Sequence, residues 1–302
     1  MVELGSAKTL LLLALVVVGI AYVVVLFLGI KRRRAETPDV PTAPTAGGVT
    51  TGFVTNFFDT LGIGSYAPTT SIFRAWKMVP DEQIPGTLNV GHTLPTIIQA
   101  IIYTRAVPVE ATTLIVLIAS ASLGAWLGAG LVSSWSRRTV QLGMGFALLG
   151  AASLLLFNLF KMGPAGGEAL GLSGGTLVFA AVANFGLGAL MTIGIGLYGP
   201  CLILVSMLGM SPITAFPIMM GSCAFLMPVA SVRFIRENRF NVRAVLGLLI
   251  GGIPAVLIAA FIVKSLDVTV VRWLVVVVVL YTAFSLLHTA FKERDTARTV
   301  TA

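Results

Sequence analysis

A seven-residue pattern, Gly-Ile-Gly-x-Tyr-x-Pro, occurs twice in this chain, at residues 62 to 68 and at residues 194 to 200. Two glycines and a proline interrupt a continuous helix, so each copy predicts a break between two half-helices. Proline is tolerated in the first helical turn, which places the second half-helices near residues 67 to 68 and 199 to 200. The free N–H groups at such starts carry about half a positive charge and suit a small oxyanion. The pattern therefore predicts an anion site between the two turns.

Polar side chains surround the first copy and extend its chemistry beyond anion binding. Asp59 and His92 are proton-coupling candidates, because an ionisable group in an apolar segment is costly and histidine titrates near neutral pH. Simpler interpretations stay open: His92 as a neutral histidine bonded to a backbone carbonyl, and Asp59 as a cap on a half-helix. The predicted substrate-binding residues are Asn56, Thr60, Gly62, Gly64, Ser65, Tyr66, Asn89, His92, Gly194, Gly196, Tyr198 and Ser222.

The repeated turns also allow a purely structural interpretation. Glycines let membrane helices pack closely, and we assign the series Gly124, Gly128 and Gly130 to such packing. Tyr66 and Tyr198 either gate the site or pack against it. Because glycine, tyrosine and proline recur together in register, we favour a functional role for the turns.

The spacing between the two copies, from Gly62 to Gly194, holds well beyond them. Pro80 corresponds to Pro212, and the Ser-Leu-Leu sequence at 153 to 155 corresponds to the same sequence at 285 to 287. Shared apolar composition alone would not keep such residues in register, so the sequence predicts two homologous halves. The halves differ chemically, because the position equivalent to Asp59 is a methionine.

Composition places the chain in a bilayer. It is 57% hydrophobic and 11% charged, with a mean hydropathy of +0.97. A soluble domain of this length would not keep such a surface in water. Strands of alternating polarity are not apparent, so the predicted fold is all-α. Seven apolar stretches long enough to span run at roughly 9 to 30, 85 to 103, 109 to 134, 139 to 160, 213 to 232, 243 to 264 and 270 to 291.

The two broken segments, residues 50 to 76 and 174 to 209, are either re-entrant hairpins or broken spanning helices. The hairpin arrangement puts more Lys and Arg on one side and fits the positive-inside rule better. It leaves three spanning helices per repeat, an odd number, which makes the repeats inverted; nine spans would make them parallel. The resulting prediction is an all-α polytopic membrane protein of two inverted repeats preceded by one extra N-terminal helix.

The basic clusters also set the predicted organisation in the cytoplasmic membrane, with the N-terminus outside and the C-terminus in the cytoplasm. The sequence Lys-Arg-Arg-Arg after the first apolar stretch marks a retained helix rather than a secretory signal. The predicted segments are an N-terminal transmembrane helix (1–34), a cytoplasmic linker (35–50), a first transport repeat (51–160), a second transport repeat (174–291) and a cytoplasmic tail (292–302).

Two segments and the second turn resemble the sulfite exporter family TauE/SafE, which is grouped with the toluene sulfonate uptake permeases. The segments are Asn-Phe-Phe-Asp-Thr-Leu-Gly-Ile-Gly-Ser at 56 to 65 and Ile-Pro-Gly-Thr-Leu-Asn-Val-Gly-His at 84 to 92. The likeness extends over residues 50 to 290. It implies an inner-membrane carrier of small sulfur oxyanions or sulfonates, often sulfite, built from two repeats.

We therefore expect a secondary transporter of a small sulfur-containing anion that works by alternating access, with proton coupling as an addition. The alternatives are an anion channel of the same fold and, from another class, an intramembrane enzyme. Catalytic and zinc-binding motifs are not apparent, and neither is a nucleotide-binding loop, so we expect no enzyme, metal or cofactor. Cys201 and Cys223 lie in apolar surroundings and do not predict a disulfide. Lipid is the expected surrounding, nucleic acid is not an expected partner, and a homodimer stays open.

Overall fold

The computed structural model describes residues 2–38, 41–132, 137–160, 167–191, 196–265 and 268–300. Within these residues the chain is helical, with short 3₁₀ turns at Asp81–Gln83 and Pro212–Thr214. The helices are α1 (Val2–Glu36), α2 (Ala46–Thr60), α3 (Tyr66–Ala75), α4 (Ile84–Ala106), α5 (Ala111–Val132), α6 (Arg137–Leu159), α7 (Gly174–Met191), α8 (Tyr198–Met207), α9 (Ala215–Arg236), α10 (Val242–Ser265) and α11 (Val268–Val300).

The first predicted break is present between α2 and α3. Gly62 and Gly64 have φ angles of 93° and 88°, in the left-handed region that favours glycine. The Gly62 N–H donates to the carbonyl of Asp59 at 2.8 Å, which closes the last turn of α2. The second break lies between α7 and α8, where residues 192–195 are outside the described part of the chain.

The helices recur at the spacing seen in the sequence. When the sequence spacing from Gly62 to Gly194 is added to the bounds of α3, the bounds of α8 result. The same shift places the first residues of α2, α4, α5 and α6 within a few residues of the first residues of α7, α9, α10 and α11, respectively. This recurrence supports two homologous halves. The predicted linker is shorter than 35–50, because α1 continues to Glu36 and α2 begins at Ala46.

The chain divides into two compact units that do not follow the repeats. Unit 1 contains residues 1–107 and 220–265, and unit 2 contains residues 108–219 and 266–302. In unit 1 the principal packing is α2 against α10, and in unit 2 it is α5 against α7. By the spacing of the repeat these are equivalent pairs, so each unit pairs a helix before a break with a helix of the other repeat.

Glycine permits both of these close packings. A Cβ on Gly251 of α10 would lie 1.9 Å from the Val49 carbonyl oxygen of α2. In unit 2 a Cβ on Gly124 of α5 would lie 1.9 Å from the Phe185 carbonyl oxygen of α7. The packing role expected for Gly124 therefore agrees with its surroundings, since no larger residue fits there unless the helices separate.

Four helical segments of the described residues are long and apolar enough to cross a membrane: Ala7–Glu36, Gly174–Met191, Pro212–Arg236 and Val242–Ile262. Three of the seven expected stretches, 9 to 30, 213 to 232 and 243 to 264, correspond to these segments, and the other segment, Gly174–Met191, is the first part of a predicted broken segment. The stretches expected at 109 to 134, 139 to 160 and 270 to 291 correspond to shorter apolar helices within the described residues. The stretch expected at 85 to 103 is present as the 23-residue α4 but is not one of the four. Its first four turns carry polar side chains that are buried inside unit 1 rather than facing outward. The least apolar of the expected spans is thus the one that supplies the polar site.

We expect Gly251→Ala to lower the stability of the protein by about 1–3 kcal/mol, because the added methyl group has to push α2 away from α10. The measurement is the midpoint of thermal unfolding of the purified protein in detergent. Gly150→Ala on α6 is the matched control, since its added Cβ meets no atom within 4 Å. Equal midpoints for the two variants would contradict the close contact between α2 and α10.

Candidate functional site

The polar residues predicted around the first turn converge inside unit 1. Asn56, Asp59 and Thr60 lie three and four residues apart, so they share one face of α2, and all three are buried. His92 and Gln99 lie seven residues apart on one face of α4 and are also buried. Burial of this many polar groups requires that they bond to one another.

His92 is held by two side chains from two different helices. Its Nδ1 lies 3.0 Å from Asn56 Oδ1 on α2, and its Nε2 lies 3.1 Å from Thr69 Oγ1 on α3. The Asn56 amide donates through Nδ2 to the Gly52 carbonyl at 2.8 Å, which leaves its oxygen for the imidazole. His92 thus bonds side chains rather than the backbone carbonyl of the simpler interpretation.

The Thr69 hydroxyl has one proton and two neighbouring acceptors. It lies 2.7 Å from the Ser65 carbonyl oxygen and 3.1 Å from His92 Nε2. When His92 is neutral and protonated on Nδ1, Thr69 can donate to Nε2. When His92 carries both protons, Nε2 donates to Thr69, and Thr69 donates to the Ser65 carbonyl. The protonation state of His92 therefore determines the hydrogen bonding of the residue that precedes α3.

Asp59 is joined to the same region through Gln99. Gln99 Nε2 donates to Asp59 Oδ2 and to Thr60 Oγ1, each at 2.9 Å. The Tyr103 hydroxyl donates to the Thr60 carbonyl at 3.0 Å. These bonds tie α4 to the last turn of α2, directly before the break. The Asp59 carboxylate, for which a helix cap was the simpler interpretation, thus accepts a hydrogen bond from α4.

Tyr66, the first residue of α3, lies beside the imidazole with an unsatisfied hydroxyl group. The Tyr66 and His92 ring centroids are 5.9 Å apart. The Tyr66 hydroxyl is buried and has no hydrogen-bond partner among the described residues. Ser65, at the N-cap of α3, makes no side-chain capping bond. A buried hydroxyl without a partner costs free energy unless a ligand or water bonds to it.

Asn89 belongs to a neighbouring cluster rather than to the contacts of His92. Ser231 Oγ on α9 donates to Asn89 Oδ1 at 3.1 Å and lies 3.0 Å from Thr93 Oγ1. From α1, the Tyr22 hydroxyl donates to the Val90 carbonyl at 2.5 Å. This cluster joins α1, α4 and α9 within unit 1. If Asn89 binds substrate, it does so from this cluster and not through the contacts of His92.

Comparison with known proteins finds a family model that matches the C-terminal part of the chain. Residues 176–302 match the family model of the sulfite exporter TauE/SafE. The resemblance noted in the sequence is confirmed over that range. The two first-repeat segments that carried most of it, at 56 to 65 and 84 to 92, lie before the matched residues. No curated protein and no solved structure matches the chain.

The TauE/SafE match includes the remaining predicted site residues. Gly194 lies outside the described residues. Gly196 and Tyr198 belong to unit 2, where Tyr198 is buried and Gly196 has no atom within 4 Å of a Cβ position. Ser222 belongs to unit 1 and is fully buried on α9. The site between the two turns stays a prediction, with one half described in each unit.

Two further residues were missed by the sequence analysis. Thr69 lies four residues after Ser65 on a ten-residue helix, and its position one turn beyond a predicted site residue was the available signal. Tyr103 lies near the end of α4, where the sequence offers no cue. The described residues contain no group of three or more His, Cys, Asp or Glu side chains placed to hold a metal ion.

We expect Tyr66→Phe to leave the stability of the protein unchanged or slightly higher, because the variant removes a buried hydroxyl that has no partner. Tyr103→Phe is the matched control. It should lower the stability by about 1 kcal/mol, since the Tyr103 hydroxyl donates to Thr60. Thermal unfolding of both variants in detergent makes the comparison. A larger loss for Tyr66→Phe would show that its hydroxyl is bonded within the protein.

Proposed function

We propose that this protein is a secondary transporter that moves a small sulfur-containing anion, of the sulfite or sulfonate type, across the cytoplasmic membrane. The substrate class rests on the match of residues 176–302 to the sulfite exporter family. Membrane location is supported by the four apolar helical segments. The same match supports a transporter rather than an enzyme.

The observation that carries the site assignment is the unsatisfied Tyr66 hydroxyl beside the break. An oxyanion needs hydrogen-bond donors, and a buried tyrosine hydroxyl without an acceptor supplies one. The start of α3 adds main-chain N–H groups that Ser65 does not cap with its side chain. Irregular backbone at membrane depth occurs where protein or a polar cavity surrounds it, which fits a binding role for this turn.

The hydrogen bonds of His92 support the proposed proton coupling. A protonated imidazole beside Tyr66 would offset the negative charge of a bound anion, so proton and anion would favour each other. The Thr69 hydroxyl then donates to the Ser65 carbonyl instead of His92 Nε2. Asp59 lies on the same face of α2 as Asn56, the partner of His92, and is the second proton-carrying candidate.

Alternating access would arise from movement of the half-helices at the breaks, the mechanism of transporters that are built from inverted repeats. Within unit 1, the basic end of α1 contacts the loop between α9 and α10, where Arg32 donates to the Arg236 carbonyl at 2.8 Å. The basic residues at the end of α1 and those at the end of α9 therefore lie at the same end of unit 1. This placement supports the proposed topology, in which both are cytoplasmic, the N-terminus is outside and the C-terminal tail is inside.

The direct test is uptake of radiolabelled sulfite into sealed proteoliposomes of the purified protein, with and without an imposed pH gradient. We expect saturable uptake that responds to the gradient, and loss of the response in Asp59→Asn. Tyr66→Phe should raise KM for sulfite at least about tenfold, because it removes a hydrogen bond to a charged group. Tyr103→Phe should leave KM near the original value.

Three outcomes would redirect the proposal. Non-saturable, gradient-independent flux would indicate an anion channel. Binding of another anion by folded protein that does not transport sulfite would replace the substrate. Wild-type KM in Tyr66→Phe would remove the Tyr66 hydroxyl from the site.

A separate prediction concerns Thr69. Thr69→Val keeps the shape of the side chain but removes the group that accepts from protonated His92. We expect the acid side of the uptake profile to shift toward lower pH by about one unit, because the bond lost to protonated His92 is charge-assisted and stronger than the bond lost to neutral His92. Thr69→Ser retains the hydroxyl and should keep the original profile. Identical profiles for the valine and serine variants would exclude the Thr69 hydroxyl from proton coupling.

A further inference from the structure

A cavity of about 570 Å³ lies at the C-terminal end of α9. Its lining changes from apolar to charged along the helix: Val229 and Val232 come first, and Arg233, Arg236 and Glu237 follow. Val229 is 69% exposed although it belongs to an apolar helix. The cavity thus combines a surface that suits a hydrocarbon chain with one that suits an anion.

Basic residues at the end of α1 lie close to the end of α9 that lines this cavity. The end of α1 packs closely here, since a Cβ on Gly29 would lie 2.2 Å from Ile235 Cγ2. The Arg33 guanidinium lies 5.3 Å from the centroid of the Phe240 ring and donates to the Phe240 carbonyl. We call this region the basic patch; it contains two acidic residues, Glu36 and Glu237, and eight basic ones, Lys31, Arg32, Arg33, Arg34, Arg233, Arg236, Arg239 and Arg243.

The acidic residues do not neutralise the cavity. Glu237 pairs with Arg233 at 2.9 Å and with Arg239 at 3.5 Å. Glu36 pairs with Arg32 at 3.3 Å. The side chain of Arg236 lines the cavity and has no hydrogen-bond or ion-pair partner among the described residues. Its guanidinium is therefore available to an anion from outside the chain.

We propose that this cavity binds the phosphate headgroup of an anionic phospholipid of the phosphatidylglycerol class. Arg236 would hold the phosphate, because guanidinium groups match phosphate geometry well. An acyl chain would lie along Val229 and toward the exposed side chains of Phe27 and Leu28, which directly precede Gly29 in α1. These apolar surfaces favour a lipid over free phosphate, which has no group to cover them.

The bound lipid would join α1 to the loop between α9 and α10. The protein contacts made there include a bond from Arg32 to the Arg236 carbonyl, a bond from Asn238 to the Glu36 carboxylate at 3.1 Å, and the Arg33 contacts with Phe240. A phosphate contacted from both sides would add charge-assisted hydrogen bonds between the same elements. We therefore expect anionic lipid to stabilise the folded protein by binding it, whatever its substrate is.

The test uses the full-length protein in detergent, titrated with phosphatidylglycerol or phosphatidylcholine. Native mass spectrometry measures bound lipid, and the unfolding midpoint measures stability. We expect one phosphatidylglycerol to bind preferentially and to raise the midpoint. Arg236→Gln should weaken this binding about fivefold, the effect of one basic residue near a lipid surface. Val229→Trp, which fills the apolar side without changing charge, should weaken it as well.

Arg105→Gln is the matched control for charge. Arg105 is exposed in the last turn of α4, and the first turn of α4 contacts the patch, where a Gly86 Cβ would lie 1.9 Å from the Arg239 carbonyl oxygen. The length of the helix separates Arg105 from the patch by roughly 28 Å. We expect Arg105→Gln to bind lipid like the original protein.

Several results would overturn the proposal. Equal stabilisation by phosphatidylcholine would remove the role of the headgroup charge. Equal stabilisation by inorganic phosphate would identify a soluble-anion site instead. Equal weakening by Arg236→Gln and Arg105→Gln would indicate diffuse attraction without a defined cavity. If Arg236→Gln altered sulfite KM but left lipid binding unchanged, the patch would belong to the substrate route.

Discussion

The close approach of α2 to α10 determines where the polar groups of the proposed site lie. A Cβ on Gly252 would fall 2.5 Å from Asn56 Nδ2, so glycine is needed for the Asn56 amide to keep its place beside α10. From there Asn56 bonds the Gly52 carbonyl and presents its oxygen to His92. A residue without a side chain thus helps to decide which hydrogen bonds His92 makes.

The site combines satisfied and unsatisfied groups in a pattern typical of functional positions. His92, Gln99 and Tyr103 each have partners on α2. Tyr66, on the other side of the break, has a buried hydroxyl with none among the described residues. Stable membrane proteins satisfy such groups, so one that is left over points to something that binds. The proposed transport function depends on that difference.

Much of the first half-site was predictable, because it is encoded within short stretches of sequence. The glycines at the break, the first residue of α3 and the polar face of α2 follow from local spacing. The contact of Thr69 with His92 was not predictable in this way. It depends on how the turn at Gly62 and Gly64 orients α3 toward α4, and the two glycines permit this turn without specifying that orientation.

The grouping of helices into two units could not be predicted from the sequence pattern either. A repeat at one fixed spacing predicts two similar halves, and nothing in it distinguishes packing within a repeat from packing between repeats. The structure pairs α2 with α10 and α5 with α7. Glycine positions such as Gly124 and Gly251 become informative only when the opposing backbone is known.

The packing of α2 against a helix of the other repeat has a consequence for synthesis of the protein. The face of α2 that carries Gly48 and Gly52 packs against Gly247 and Leu248 of α10, so it has no native neighbour when it first leaves the ribosome. At about 5–20 residues per second, the chain between the end of α2 and Gly251 takes roughly 10–40 s to add. During that interval the glycine face of α2 lacks its native partner, whereas Asn56 and Asp59 can already bond to His92 and Gln99 of α4. Assembly of unit 1 therefore depends on the pairing of α2 with α10, and this pairing forms only after α10 has been synthesised.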